Sequence, residues 1–307
     1  MRAVIQKSFG GPEVLEVTEA ERPVPGPGEI LVKVHAAAVN PVDLAVRSGA
    51  LPLLGEPPYG VGWDISGVVE ETGPDAGFAV GDEVYGMPSF PAAATGYAEY
   101  VLARADQMAR KPASVDHVHA AAVPLAALTA WQGLVREAGV GAGDRVVVQR
   151  AAGGVGHFAV QIAKARGAHV TAIAGGARRE FVTGLGADEL IDYTTTDFTE
   201  AVRDADVFFD STAQGDRSLP VLRPGGTLVT ILEHRDEEFA ARVTAAGRRF
   251  AGVSVTPDRP ALEALAELID AGLIRPYVEE TFPLEEAGKA HELVGSGHVQ
   301  GKIVLTV

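Results

Sequence analysis

A short glycine-rich segment offers backbone groups suited to holding a phosphate. It consists of Ala152, Gly153, Gly154, Val155 and Gly156. Glycines leave room for a pyrophosphate to approach the backbone. A helix beginning beyond them would aim its free N–H groups and the positive end of its dipole at the anion. A surface turn without a ligand is the alternative interpretation of the same residues.

The segments around these glycines favour the ligand-binding interpretation. An apolar run at Val146–Val148 predicts a buried strand before them, and apolar residues at helical spacing over Phe158–Ala165 predict a helix after them. A second apolar run at Val170–Ala174 predicts another strand. Strand, glycine turn, helix and strand in this order form the dinucleotide-binding unit, so we expect a dinucleotide here.

Strands and helices alternate after residue 116, and Asp116 is suited to cap the first of these helices. Six strands with helical crossovers predict an α/β fold with a doubly wound parallel sheet over 117–255. The strands are predicted at 145–150, 169–174, 189–192, 206–210, 226–231 and 250–255.

Residues 1–116 have a different pattern, in which short alternating runs are separated by glycine and proline. This pattern predicts a β-barrel-like domain. From residue 256 the chain reads as a helix, a strand, a second helix and a final strand at Lys302–Val307. Because this tail differs from the region before it, the sequence predicts one domain from 1–116 with 256–307, and another from 117–255.

Composition excludes several classes of protein. The chain has 307 residues, no cysteine and a net charge of −15. The lack of cysteine excludes disulfides, thiol nucleophiles and cysteine-ligated zinc. The negative charge argues against a general nucleic-acid or anionic-membrane binder. No apolar run reaches the roughly 18 residues of a membrane span, and no signal-peptide core follows the N-terminus, so we predict a cytoplasmic protein.

Short motifs in a fixed order run through nearly the whole chain. They are Asn40-Pro41-Val42-Asp43, Gly62-Trp63-Asp64, Gly81-Asp82-Glu83-Val84-Tyr85-Gly86, Pro124-Leu125, the glycine segment, Arg223-Pro224-Gly225-Gly226 and Gly301-Lys302-Ile303. With these motifs the chain resembles the medium-chain dehydrogenase/reductase superfamily and, within it, the zinc-free quinone oxidoreductase group. The resemblance implies a GroES-like β-barrel catalytic domain, a Rossmann-type domain and a cleft between them. It also implies a homodimer, for which the apolar strand 250–255 offers an edge.

The residues after the second strand of the dinucleotide unit favour NADPH over NADH. An NAD site usually has an acidic residue at the end of this strand, whereas this chain has Ile173–Gly176 followed by Arg178 and Arg179. Basic side chains without a carboxylate suit a 2′-phosphate. The resemblance adds that relatives using NADPH carry a basic residue at the position of Arg178 and a tyrosine at that of Tyr193. A solvated helix face is the alternative role of the two arginines.

The sequence predicts no metal site. Zinc-dependent relatives hold a catalytic metal with cysteine, histidine and a carboxylate. This chain has Asn40 and Asp43 in the first ligand region and Trp63-Asp64 in the second. His117 and His119 lie two residues apart on a predicted helix, so their side chains point to different faces.

Without a metal, hydride transfer needs an acceptor that is already polarised, such as a quinone or the β-carbon of an α,β-unsaturated carbonyl. The apolar loop 87–95 favours a bulky, hydrophobic, conjugated substrate. Two other functions stay open at this point. One is an enoyl reductase that tailors a biosynthetic intermediate, and the other is a protein that binds NADPH without turnover.

Asn40 and Tyr59 are the candidate catalytic residues. The resemblance places Asn40 and Thr129 near the nicotinamide and its ribose, and an asparagine offers a donor and an acceptor to a carboxamide or an enolate oxygen. Many quinone reductases of this group carry a tyrosine where this chain has Ala45, and Tyr59 is a candidate to replace that hydroxyl. A purely structural role in a turn, helix or loop is the alternative for all three.

The predicted cofactor-binding set consists of Asn40, Thr129, Ala152–Gly156, Arg178, Tyr193 and Ser254. Arg150 departs from the family pattern, which usually has a small residue at the start of the glycine turn. Its side chain would reach the pyrophosphate or the cleft, or else pair with a nearby acid. The sequence leaves these alternatives open.

Overall fold

Two units make up the computed structural model, which describes all 307 residues, Met1–Val307. Unit 1 comprises Met1–Leu128, Thr256–Gly272 and Pro276–Val307, and unit 2 comprises Thr129–Val255 and Leu273–Arg275. The chain first passes from one to the other after Leu128, whereas the sequence predicted 116. The segment between belongs to unit 1 because Ala121 and Ala122 pack in a core cluster with Ala36, Ala38 and Val304.

The strands are β1 (Arg2–Gln6), β2 (Leu15–Glu19), β3 (Glu29–Val39), β4 (Tyr59–Gly60), β5 (Asp64–Thr72), β6 (Glu83–Gly86), β7 (Tyr100–Arg104), β8 (Met108–Arg110), β9 (Arg145–Gln149), β10 (His169–Ala174), β11 (Glu189–Asp192), β12 (Ala205–Asp210), β13 (Leu222–Thr230), β14 (Arg249–Gly252), β15 (Val278–Pro283) and β16 (Lys302–Thr306). Strands β9 to β14 lie in unit 2 and the others in unit 1.

The helices are α1 (Pro41–Ser48), α2 (His117–Ala121), α3 (Pro124–Trp131), α4 (Gly156–Ala165), α5 (Arg179–Gly184), α6 (Phe198–Ala201), α7 (Gly215–Ser218), α8 (Glu237–Ala245), α9 (Arg259–Asp270) and α10 (Ala287–Gly295). Short 3-10 helices occur at Pro12–Val14, Ala105–Gln107, Gly176–Arg178 and Leu284–Glu286, and a π-helix at Gln132–Glu137. As predicted, the side chain of Asp116 caps α2, accepting from the N–H of His119 at 2.9 Å. None of the helices combines the length and the apolar character that a membrane span requires.

Unit 1 is built on two sheets. The larger has the strand order β15-β16-β3-β5-β6-β8, with β7 also paired to β3, and the smaller has the order β2-β1-β4. Strand β3 is central, since it pairs with β5, β7 and β16, and most of its residues are buried. The last strand, β16, pairs with it antiparallel, from Ile303 opposite Val39 to Thr306 opposite Ala36. The C-terminal segment thereby joins the sheet formed by the first part of the chain.

Unit 2 contains a six-stranded sheet in the order β11-β10-β9-β12-β13-β14. Every neighbouring pair is parallel. The apolar run Val146–Val148 forms the buried middle of β9, while Phe208, Leu228 and Phe239 belong to a buried core cluster of this unit. The predicted α/β fold with a doubly wound parallel sheet is confirmed.

The prediction that the last strand of this sheet covers 250–255 is wrong for the second half of that range. Strand β14 ends at Gly252, which pairs with Thr230, the last residue of β13. Beyond Thr230 no neighbouring strand remains for β14 to follow. Ser254 therefore lies after the strand, where it is exposed.

Candidate functional site

The glycine-rich segment lies between the carboxyl end of β9 and the start of α4. Ala151 N–H donates to Ile173 O at 3.1 Å, which ties the turn to β10, and Gly153 N–H donates to Arg150 O at 2.8 Å. A Cβ on Gly156 would lie 2.1 Å from Arg150 O, so only glycine fits where α4 begins. The turn thus holds the amino end of a ten-residue helix close to the end of β9, which is the geometry that binds a pyrophosphate.

The other residues of the segment follow the same turn. Ala152 is buried, while Gly153, Gly154 and Val155 are half-buried. Arg150 opens the turn with a φ of 50°, a left-handed conformation that glycine adopts at lower cost than arginine. Its Nε lies 3.9 Å from the place that a Cβ on Gly153 would occupy. A cationic side chain therefore runs beside the glycine turn.

A pocket of about 480 Å³ adjoins this turn in unit 2. Strand order reverses between β9 and β12, and doubly wound sheets bind ligands at the carboxyl ends of strands at such a point. The lining residues belong to the ends of β9 and β10 and to the segments after β11 and β12. They are Gln149, Arg150, Ile173, Tyr193, Thr195, Thr196, Asp197, Phe198, Thr212, Gln214 and Arg217.

The turn after β10 carries the residues predicted to select NADPH. Strand β10 ends at Ala174, and a short 3-10 helix with Gly175 at its N-cap ends at Arg178. Arg178 is half-buried. Tyr193, just after β11, is 64 % exposed, and its hydroxyl lies 3.8 Å from the place that a Cβ on Gly175 would occupy. The structure thus brings the Arg178 turn and Tyr193 to the same edge of the sheet.

The same edge carries a carboxylate that sequence reasoning missed. Asp192 ends β11 and pairs in register with Ala174, the last residue of β10. Its Oδ1 accepts from Thr194 N–H at 3.0 Å and from Thr194 Oγ1 at 2.7 Å, and the Gly176 N–H donates to the same carboxylate. These donors, the Thr194 hydroxyl first, lower the pKa of Asp192. The sequence offered one sign of it, since the predicted strand 189–192 ends on an acid.

Asn40 lies in unit 1, where it is the N-cap residue of α1 and is 1 % exposed. Its Nδ2 donates to Asp64 Oδ2 at 2.9 Å, and its Oδ1 accepts from Lys302 Nζ. Lys302 also donates to Val39 O at 3.0 Å, and Asp64 Oδ1 accepts from Leu125 N–H at 2.8 Å. The carboxylate at one end and the ammonium at the other fix which way the Asn40 amide faces.

Burial shifts the pKa of the ionisable members of this network. It raises the pKa of Asp64 to about 6 and lowers the pKa of Lys302. The Lys302 Nζ lies 3.8 Å from Asp64 Oδ2, and both side chains are at most 4 % exposed. Each charge is therefore stabilised chiefly by the other and by the Asn40 amide between them.

A second buried chain of polar groups runs through Asp43, also in unit 1. Arginine has no acceptor, so Arg47 Nη1 donates to His291 Nδ1 at 3.2 Å. His291 Nε2–H then donates to Tyr97 Oη at 3.2 Å, and Tyr97 Oη donates to Asp43 Oδ2 at 2.8 Å. Burial lowers the pKa of His291 to about 3 and raises that of Asp43 to about 7. Asp43 Oδ1 is buried without a hydrogen-bond partner, which favours its protonated form.

The remaining predicted residues lie in both units. Tyr59, in β4 of unit 1, is half-buried, and its hydroxyl makes a long bond of 3.4 Å to Val46 O. Burial raises the pKa of Tyr59. Thr129, the first residue of unit 2, is 4 % exposed within α3. Ser254 is also in unit 2, beyond β14. The pocket is lined by Tyr193 but by none of these three.

The histidines considered as metal ligands engage other partners. His117 Nδ1 lies 2.8 Å from Ser66 Oγ, and its Nε2 lies 3.2 Å from Glu83 Oε1. His119 Nδ1 lies 2.7 Å from Asp116 Oδ1. The structure contains no group of three or more His, Cys, Asp and Glu side chains arranged to hold a metal ion.

Two family models match the chain. Residues 26–113 match the alcohol dehydrogenase GroES-like domain, and residues 185–305 match the family described as zinc-binding dehydrogenase. Among curated proteins, the mouse mitochondrial NAD(P)H oxidoreductase RTN4IP1 is 35% identical, over 100% of this chain and 89% of its own length. The quinone oxidoreductase of Sus scrofa is 33% identical, over 99% of this chain and 97% of its own.

Solved structures show the same relationship. The quinone oxidoreductase from Coxiella burnetii is 35% identical with a TM-score of 0.91, covering 100% of this chain and 99% of that one. The Escherichia coli quinone oxidoreductase complexed with NADPH is 27% identical with a TM-score of 0.87, covering 100% of both chains. The chain thus belongs to the medium-chain dehydrogenase/reductase superfamily and, within it, to the quinone oxidoreductase group.

Proposed function

We propose that this protein is an NADPH-dependent, metal-independent reductase that transfers hydride to a quinone or to the C=C bond of an α,β-unsaturated carbonyl. The observation that carries the proposal is the glycine turn of unit 2, where the place of a Cβ on Gly156 is filled by Arg150 O. Such a turn at the amino end of α4 fits a pyrophosphate, and the adjoining pocket fits the rest of a nucleotide. The names of the curated relatives, NAD(P)H oxidoreductase and quinone oxidoreductase, support the same reaction class.

The turn after β10 suits NADPH better than it suits NADH. Arg178 and the exposed Tyr193 ring lie at the edge of the sheet that binds the ribose 2′ position in dinucleotide folds. The bound nucleotide would supply the hydride. Arg178 would pair with its 2′-phosphate, and the N–H groups at the start of α4 would hold its pyrophosphate. The NADPH complex of the E. coli relative supports this choice.

Asn40 is suited to orient a polar group of the cofactor or substrate. An asparagine amide has two N–H donors and two acceptor sites, and Asp64 and Lys302 occupy one of each. The second N–H of the amide is left for a ligand, with its direction fixed by the two charged partners. Because a metal is not needed to polarise a quinone or an enone, such a fixed donor is enough to stabilise developing negative charge on oxygen. The proton for the neighbouring carbon would come from water.

The cofactor preference is tested with Arg178→Ala. Charge-assisted hydrogen bonds contribute ~1.5–3 kcal/mol, so we expect the variant to lose about tenfold or more of its preference for NADPH over NADH. The measurement is the ratio of the two dissociation constants. An unchanged ratio would remove Arg178 from the 2′-phosphate site.

The acceptor class is tested by following NADPH oxidation with 1,4-naphthoquinone, an alkyl enone and a simple ketone, each with and without a metal chelator. We expect turnover of the quinone or the enone, undiminished by chelator. Turnover of the ketone alone, or loss of activity with chelator, would contradict the proposal. Tight NADPH binding with no oxidation by any acceptor would identify a binding protein.

Two further predictions concern the protein in solution. Strand β14 lies at an edge of the sheet in unit 2, where a second copy could pair with it, and light scattering would test for the predicted homodimer. The cytoplasmic location predicted from the sequence stays a prediction. Among its relatives, mouse RTN4IP1 is named a mitochondrial protein and the quinone-oxidoreductase homolog of Spinacia oleracea a chloroplastic one.

A further inference from the structure

We propose that Asp192 weakens the preference of this protein for NADPH over NADH, by competing with a 2′-phosphate at the turn after β10. The inference rests on the proposed function, since it concerns the same nucleotide site. It adds a residue that opposes the contribution of Arg178. The protein would then use both nucleotides, with a preference that a single substitution can increase.

The register of the sheet places Asp192 beside the carboxyl end of β10. It pairs with Ala174, the last residue of β10, and the next residue, Tyr193, donates its N–H to Ala174 O at 3.3 Å. In dinucleotide-binding units that prefer NAD, an acidic residue at the end of the equivalent strand bonds the ribose hydroxyls. Strand β10 lacks that acid, but β11 supplies a carboxylate beside the same strand end.

Asp192 is also bonded to the turn that carries Arg178. The Gly176 N–H points to this carboxylate, and a Cβ on Gly176 would lie only 2.2 Å from Asp192 Oδ2. Gly176 is the first residue of the 3-10 helix that ends at Arg178. A phosphate approaching Arg178 therefore meets a carboxylate already bonded to the start of this short helix.

The orientation of Asp192 is held from its other side. Its Oδ1 accepts from both the N–H and the hydroxyl of Thr194, at 3.0 Å and 2.7 Å. The nearby Arg179 favours the ionised carboxylate as well. A fixed, ionised carboxylate repels a dianionic 2′-phosphate but accepts hydrogen bonds from the 2′- and 3′-hydroxyls of NADH. Coulomb repulsion across several ångströms of partly solvated protein corresponds to a difference of about three- to tenfold in affinity.

The test is Asp192→Asn, which keeps the size of the side chain and an oxygen for Thr194 but removes the charge. We expect the variant to bind NADPH about three- to tenfold more tightly and to bind NADH no more tightly than wild type. Equilibrium titration by calorimetry measures both dissociation constants without turnover. Comparing 2′,5′-ADP with 5′-AMP isolates the effect of the phosphate. Asp192→Ser, which is too short to reach Gly176, should shift the ratio in the same direction.

The matched control is Glu189→Gln, which removes an equal charge from the first residue of the same strand. Its carboxylate lies about 10 Å away along β11, given the rise of a strand per residue, and it faces His169. We expect this variant to leave the ratio of the two dissociation constants unchanged.

The possible results separate this inference from the proposed function. Wild-type protein that binds neither nucleotide would overturn both. Wild-type protein that binds NADPH, with both Asp192 variants folded and the ratio unchanged or moved toward NADH, would overturn the role of Asp192 alone. An equal shift in Glu189→Gln would show a general charge effect, and would also overturn it.

Discussion

In unit 1 the polar side chains of Asn40, Asp64 and Lys302 bond to one another and are almost entirely buried. In unit 2 the edge of the sheet beside the glycine turn is open to solvent, and Tyr193, which lines the pocket there, is 64 % exposed. A buried polar network that satisfies its own members fixes geometry. An edge with glycine turns, backbone N–H groups and an adjoining pocket is suited to binding something else. We therefore expect substitutions in the buried network of unit 1 to lower the stability of the fold. Substitutions at the glycine turn of unit 2 should lower the affinity for the nucleotide instead.

The largest effect is expected for Lys302→Met. This change keeps the bulk of the side chain but leaves the Asp64 carboxylate and the Asn40 oxygen without their cation. Breaking a buried ion pair by removing one partner typically costs ~3–5 kcal/mol, which we expect as the loss in free energy of unfolding by denaturant titration. The double variant Lys302→Met with Asp64→Asn should recover part of the loss. A change below ~1 kcal/mol in the single variant would mean that the network does not stabilise unit 1.

The pH dependence of stability gives the next largest effect. The folded-state pKa of Asp43 is about 7, above the ~3.9 of an unfolded chain. Protonated Asp43 therefore stabilises the fold fully below about pH 4, and this contribution is lost as pH rises toward 7. Asp43→Asn cannot ionise, so between pH 4 and pH 8 its free energy of unfolding should gain ~2–4 kcal/mol relative to wild type.

His291 supplies the control with the opposite sign. Its folded-state pKa of about 3 lies below the ~6.5 of an unfolded chain, so its contribution is present above pH 6.5 and is lost as pH falls toward 3. His291→Gln should flatten the acid side of the profile and leave pH 6.5–8 unaffected. Profiles of Asp43→Asn and wild type that run parallel from pH 4 to pH 8 would show that Asp43 is ionised in the fold.

In unit 2, Gly156→Ala should abolish most nucleotide affinity. The new Cβ would lie 2.1 Å from Arg150 O, so the turn must move and its N–H groups lose their alignment. Loss of one or two charge-assisted hydrogen bonds corresponds to about thirtyfold weaker binding of NADPH, or ~2 kcal/mol, measured by calorimetry. The control is Gly184→Ala in the same unit, where a Cβ would meet nothing within 4 Å. Equal affinities for the two variants would place the nucleotide elsewhere.

The smallest effect concerns Arg150. Its φ of 50° suits glycine, so Arg150→Gly should raise the free energy of unfolding by ~0.5–1 kcal/mol. Arg150→Ala keeps the unfavourable φ and removes the side chain, so it should not show this gain. If NADPH binds more weakly to both variants, the guanidinium contacts the nucleotide, and if to neither, Arg150 has a structural role only.

Local patterns made unit 2 largely predictable from the sequence. The glycine turn can be predicted from the adjacent segments, because its strand, turn and helix follow one another directly in the chain. The register between parallel strands depends on residues far apart in the chain, so the pairing of Asp192 with Ala174 could not be predicted from the sequence. The same reasoning explains why β14 was predicted too long, since its end depends on where β13 stops.

The buried network of unit 1 was much less predictable. Asn40 was singled out, but its partners Asp64 and Lys302 lie 24 and 262 residues away in the chain. Each belongs to a recognised motif, yet no spacing shows that the motifs meet. His291 had no motif at all, and only the fold reveals that it bonds to Tyr97.

The most direct measurement is a calorimetric titration of NADPH into the purified protein in buffer containing a metal chelator. We predict saturable binding at one site per chain, with the same affinity when the chelator is omitted. Absence of saturable binding, or binding that appears only after a transition metal is added, would contradict a metal-independent nucleotide site at the glycine turn of unit 2.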